Sequence, residues 1–322
     1  MSQSEESVRR SRIKYYVGLV ALGVVLAFCL VSLIIPPEVP DPAIAERADQ
    51  ALSRIEDLGG VVAHAMTASP GERRYDHRRR EVTLGRQWKG GNDGLALLKD
   101  VDDLYELVLD SPQVDDAGLR YLKDVPRLRG LRVKGTTITD AGLRNLKGVR
   151  GLEILSFDGK NITDAGLEAL EGLNPKWLFI ENQSQITDAG LIHLAEMTNL
   201  IWLDFAGAKI TGTGLAGLDK LVNLRELVLR GTQVDDDALA HIGDFPALRR
   251  LDLSGTKIRG PGLVHLQKLP RLEELSLDNT SLADADLQPL AGLKSLVVLS
   301  AEGTRVTPAA IQALTRSTRR GI

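Results

Sequence analysis

The chain has 322 residues, of which 26% are charged, 43% hydrophobic and only 4% aromatic. That apolar content can bury a large core, so wholesale disorder is excluded. A formal net charge of −3 and a pI near 6.0 exclude a surface field strong enough to hold a polyanion, and nucleic acid is not an expected partner. The single cysteine, Cys29, excludes a disulfide framework and a cysteine-based zinc site.

From Tyr16 to Ile35 the chain runs 20 residues without a charge, the length a helix needs to cross a bilayer. Residues 16–35 are therefore expected to form a transmembrane helix, and membrane is an expected partner through them. Arg9, Arg10, Arg12 and Lys14 precede the run, while Pro36, Pro37, Glu38, Pro40 and Asp41 follow it. This asymmetry predicts a cytoplasmic segment over 1–15 and an extracytoplasmic position for the rest, in a bacterial periplasm or at a cell surface. A cleaved signal peptide is the alternative, but its apolar region is normally about 7 to 15 residues.

Residues 36–42 read as a stiff proline-rich spacer. Residues 43–103 read as an N-terminal cap with a degenerate repeat. Within it, Ala43 to Leu58 has the spacing of an amphipathic helix stopped by Gly59 and Gly60, and Val61 to Ala65 and Glu81 to Leu84 are expected strands around a polar loop, Ser69 to Arg80. Arg73, Arg74, Arg78, Arg79 and Arg80 make this loop the one basic cluster, read as solvated or as a contact for anionic headgroups.

The chain contains 53 leucines, and Leu104, Leu128, Leu152, Leu200, Leu224, Leu248, Leu272 and Leu296 fall 24 residues apart or at a multiple of 24. In the fourth unit Pro175 takes the leucine's place, giving one unit of 23 and one of 25, with the extra residue assigned to the loop Glu181 to Gln185. Nine units over 104–322 follow L-x-x-L-x-L-x-G-T-x-I-T-D-A-G-L-x-x-L-x-x-L-x-x, and Val82 to Asp103 is a degraded unit before them.

Leucines at places 1, 4 and 6 predict a strand with one buried face. Ile138, Ile162, Ile186, Ile210, Val234 and Ile258, at place 11, are expected to plug the turn, and leucines at 16, 19 and 22 to lie on the inner face of a short helix. Thr139 with Asp140, Thr163 with Asp164 and Thr187 with Asp188 are positioned to cap those helices. A calcium role for the acidic column, including Asp235 to Asp237, lacks the dense alternate spacing of a calcium loop. Thr136, Thr232, Thr256, Thr280 and Thr304 form a column expected to satisfy backbone groups in the turn, and Gly118, Gly142, Gly166 and Gly190 one that lets units approach closely.

These motifs resemble the leucine-rich-repeat superfamily, in particular the T-D-A-G-L variant found in ribonuclease-inhibitor-like and bacterial envelope proteins. The resemblance implies an α/β fold: a right-handed solenoid with a concave parallel sheet and short helices on the convex side, most members binding other proteins on the concave face. Threonine stands here where the cysteine-containing type has cysteine, and no F-box is recognisable.

No G-x-S-x-G, H-E-x-x-H or P-loop occurs, so neither a catalytic nor a cofactor-binding motif is present and no enzyme activity is expected. His193, His241 and His265 share one helical place without a third ligand at fixed spacing, and are read as solvent-facing. Strand places 3, 5 and 7 face away from the core and carry the informative variation. They bring together Trp177, Phe179 and Trp202, flanked by Arg132, Asp204, Glu226 and Arg250. Exposed aromatics on a rigid sheet are the side chains expected to dominate a binding energy. The expected function is an anchored binding module for a protein partner. The alternatives are a cell-wall glycan binder using the aromatics as stacking platforms, a structural envelope spacer, or a face on which the rings only pack against one another.

Overall fold

The computed structural model describes residues 42–66, 75–181 and 185–319. The expected transmembrane helix over 16–35, most of the spacer, Arg73, Arg74 and the centre of the loop Glu181 to Gln185 lie outside them. Among the described residues no helix is long and apolar enough to cross a membrane. The chain divides into two units, Met1–Glu46 and Arg47–Ile322. Of the first, residues 42–46 are described, and they begin helix α1, Pro42–Asp57.

The second unit is built on one eleven-stranded sheet in which the strands follow sequence order. β1 (Val61–Met66) runs antiparallel to β2 (Tyr75–Leu84), and β2 runs parallel to β3 (Leu104–Leu109). Parallel neighbours follow as β4 (Gly130–Val133), β5 (Ile154–Asp158), β6 (Trp177–Glu181), β7 (Trp202–Asp204), β8 (Glu226–Val228), β9 (Arg250–Asp252), β10 (Glu274–Ser276) and β11 (Val298–Ser300). A sheet of parallel neighbours needs a crossover between each pair, and one short helix per unit supplies it.

The core lies between sheet and helices, as the repeat spacing requires. Leu248, Leu251 and Leu253 are all buried, as are Ile258 at the turn and Leu263, Leu266 and Leu269 on the helical side. Most of these helices are 3₁₀ turns, as at Gly118–Asp124, Asp188–Leu194 and Pro261–Lys268. The apolar spacing of three suits the 3₁₀ period, in which the three leucines stay on one line. Three units make short α-helices instead: α2 (Asp140–Arg144), α3 (Asp164–Ala169) and α4 (Leu239–Ile242). At the far end α5 (Pro308–Arg319) closes the last unit, with Leu314 buried and Ile311 packed on the core.

Two local expectations need correction. The segment from Tyr75 to Arg80 is strand rather than polar loop, because it pairs with β1, Tyr75 against Met66 and Arg80 against His64, and Arg80 also pairs with Leu104 on β3. Arg79 and Arg80 are correspondingly engaged rather than solvated. The Arg79 guanidinium lies 4.3 Å from the Tyr105 ring centroid, and Arg80 Nε donates to Asp103 at 2.7 Å.

The second correction concerns the Thr-Asp pairs. Only the threonine caps its own helix: Thr139, Thr163 and Thr187 accept from the N–H of Ala141, Ala165 and Ala189. The aspartate reaches across to the next unit. Asp116, Asp140 and Asp164 each accept from both the N–H and the hydroxyl of the following threonine, Thr139, Thr163 and Thr187, at 2.7–2.9 Å. This carboxylate column explains the glycine column beside it, since a Cβ at Gly142, Gly166 or Gly190 would stand 2.3–2.5 Å from an aspartate oxygen. The threonine column acts within its own unit: Thr232, Thr256 and Thr280 donate to the carbonyls of Leu229, Leu253 and Leu277 at 2.6 Å.

Candidate ligand-binding face

The strands alternate sides, so residues at places 3 and 5 stand on the sheet face opposite the core. Register places Trp177 beside Trp202 and Phe179 beside Asp204 between β6 and β7. Trp202 then neighbours Glu226, and Glu226 neighbours Arg250, across β8 and β9. Arg132, on β4, is separated from Phe179 by Ser156. The sheet therefore brings all seven named residues onto one face.

The three rings are half-buried, and none of them joins the hydrophobic core. Phe179 and Trp202 meet edge to face, with centroids 5.3 Å apart and planes at 65°. Lys176 Nζ stands 5.9 Å from the Trp177 ring centroid. The Trp202 indole N–H is buried without an acceptor, so no hydrogen bond fixes that ring. Trp88 differs in every respect: it is fully buried, donates to the Gly91 carbonyl at 2.9 Å and is clasped by Gly90 and Gly94.

The face is not uniform along its length. At its N-terminal side Glu106 is only 5% exposed and pairs with Arg132 at 2.5 Å, over Gly130, where a Cβ would meet the Glu106 side chain at 2.9 Å. Ile154 and Ser156 are also buried, although Ile154 lies outside the core cluster. Arg132 is thus committed to an internal ion pair. Arg250 is held by Glu226 at 3.4 Å and Glu274 at 3.2 Å, and Lys134 holds Glu181 at 2.9 Å.

Burial pushes the Glu226 carboxyl above its ordinary range, against the pull of Arg250. Asp204 is also pushed up, first by burial and then by the negative charges of Glu181 and Asp252, while the Ala206 N–H opposes the shift. Glu181, Asp252 and Lys134 were not among the residues named on this face from the sequence, whereas Glu274 stands there at place 3 beside Arg250. The available signal was the same alternation, which puts Asp252 at place 5 and Glu181 and Lys134 at place 7.

Away from this face, His193 Nδ1 lies 2.7 Å from Glu171, and the described residues contain no group of three or more potential metal ligands.

Residues 246–266 match the family model described as Leucine Rich repeat. That stretch of the repeat is thus similar to a leucine-rich repeat. No curated protein matches the chain. Among solved structures, an internalin C2 of Listeria monocytogenes is 22% identical, over 70% of this chain and 80% of its own, with a TM-score of 0.42. An internalin F of the same organism is 17% identical, over 88% and 97%, at 0.44. A leucine-rich-repeat protein of Leptospira interrogans is 16% identical, over 69% and 72%, at 0.48. Likeness at these values says nothing of a shared ligand.

Proposed function

We propose that this chain is a non-catalytic binding module whose open sheet face docks a protein partner, held at a membrane by residues 16–35 with the repeats outside the cytoplasm. The observation that carries the reading is the group Trp177, Phe179 and Trp202: three half-exposed rings, contiguous in register, outside the core and rimmed by charge. A leucine-rich-repeat sheet is a rigid platform, and rigid aromatic anchors supply most of the affinity of protein interfaces. The same half-exposed rings favour a glycan as the second reading, since one aromatic ring suffices to stack a sugar.

Replacing both Trp177 and Trp202 by alanine is expected to lose about 2 kcal/mol or more per ring in partner binding, with circular dichroism and melting almost unchanged. Normal binding by the double variant would refute the docking face, and unfolding would assign the rings to packing. Competition by cell-wall fragments in place of protein would move the ligand to glycan. The topology has its own check. The repeats in intact spheroplasts should be digested by a protease that cannot cross the membrane, and full protection would overturn the extracytoplasmic placement.

A further inference from the structure

The carboxylates of the open face differ in what neutralises them. Glu106 has Arg132, Glu181 has Lys134, and Glu226 and Glu274 share Arg250. Asp204 and Asp252 have only backbone donors: each accepts one N–H at 2.9 Å, from Ala206 and Ser254 respectively. Among the described residues no cation lies within ion-pair distance of either. Arg230, the next residue on the same face beyond Val228, is exposed and makes no ion pair among those residues.

In register, Asp204 pairs with Val228 and Val228 with Asp252, so the two carboxylates flank one half-exposed valine across β7, β8 and β9. Phe179 adjoins Asp204 on the other side, and Trp202 precedes it by two residues on the same face. An apolar floor between two uncompensated carboxylates beside aromatic rings matches a long side chain with an alkyl stem and a cationic head. It does not match a metal ion. A bound metal ion needs more ligands than two carboxylates, and among the described residues no group of three or more potential metal ligands is present.

We propose that the protein partner inserts a lysine or arginine side chain here, its stem on Val228 and Trp202 and its head between Asp204 and Asp252. This rests on the reading of the face as a protein-docking surface. The elevated carboxyl of Asp204 agrees with it, because a buried charge without a partner is costly until a cation arrives.

The test presents the full-length protein in detergent to immobilised random octapeptides whose central residue is fixed as Arg, Lys, Glu or Leu. Arg- and Lys-centred mixtures should be retained about tenfold more than Glu-centred ones at low salt, a preference that falls with added salt. In Asp204→Asn with Asp252→Asn the preference should vanish while melting holds or rises. Retention that depends on Trp177 and Trp202 but shows no preference for a cation, or keeps it in the Asn variant, would overturn this inference and leave the docking face standing. Retention indifferent to the tryptophans, or none by the unaltered protein, would overturn both.

Discussion

Leu227→Ala is expected to destabilise the repeat domain by about 2 to 5 kcal/mol, the range for truncating a fully buried leucine. Leu227 is 1% exposed on β8 and stands in register between Leu203 on β7 and Leu251 on β9, both buried. Each unit of such an array is stabilised mainly by its two neighbours, so a cavity at a central place 4 weakens two interfaces together. Urea unfolding of the purified protein provides the measurement. A change under about 0.5 kcal/mol would mean that this place does not face the core and that the repeat register is shifted.

Asp188→Ala is expected to be the most damaging polar substitution, at about 2 to 4 kcal/mol. Asp188 accepts four hydrogen bonds from the next unit: Oδ2 from the N–H of Thr211 at 2.9 Å and its hydroxyl at 2.7 Å, and Oδ1 from the N–H of Gly212 and Gly214 at 2.9 Å. The next unit has Gly212 where its neighbours have aspartate, with φ of 111°, so the chain folds back over the carboxylate in a conformation that side chains rarely adopt. A Cβ on Gly214 would stand 2.4 Å from the Asp188 carbonyl oxygen. Asparagine should not rescue the site, because its amide N–H₂ would face one of the two pairs of donors.

The same geometry sets a pH dependence. Burial alone would raise the Asp188 carboxyl, but the bonds from Gly214, Thr211 and Gly212 outweigh it and hold the group below its ordinary value of 3.8. A carboxylate with a lowered folded-state pKa contributes its full stabilisation above the unfolded value and loses it as pH falls through the folded one. The advantage of the unaltered protein over Asp188→Ala should therefore be constant from neutral pH down to the ordinary aspartate range and shrink below it. Thermal melts at a series of pH values test this, and a difference that grew on acidification would refute the assignment.

The buried columns were legible in the sequence because a 24-residue period with leucine at fixed places allows one arrangement that removes all of them from water. Leu104, Ile138 and Leu263 each occupy the place that the pattern assigned. The strand from Tyr75 was not legible. Its alternate residues are Tyr75, His77 and Arg79 against Asp76, Arg78 and Arg80, with no apolar face, and pairing with β1 decides its conformation instead of a hydrophobic period.

The open face divides in the same way. Alternation along the strand determines from sequence alone that Trp177, Phe179 and Trp202 share a side with Arg132, Asp204, Glu226 and Arg250. Only the stacked structure decides that Arg132 is consumed by Glu106, that Arg250 is shared between Glu226 and Glu274, and that Asp204 is left without a cation. The aspartates beside the helix caps follow suit, each bonding a residue 23 or more positions along the chain. The physical reason is common to both. Burial of apolar columns depends on residue type at a repeated place, which the sequence states directly, whereas the pairing of charges depends on which units stand next to one another and how far each side chain reaches across the gap.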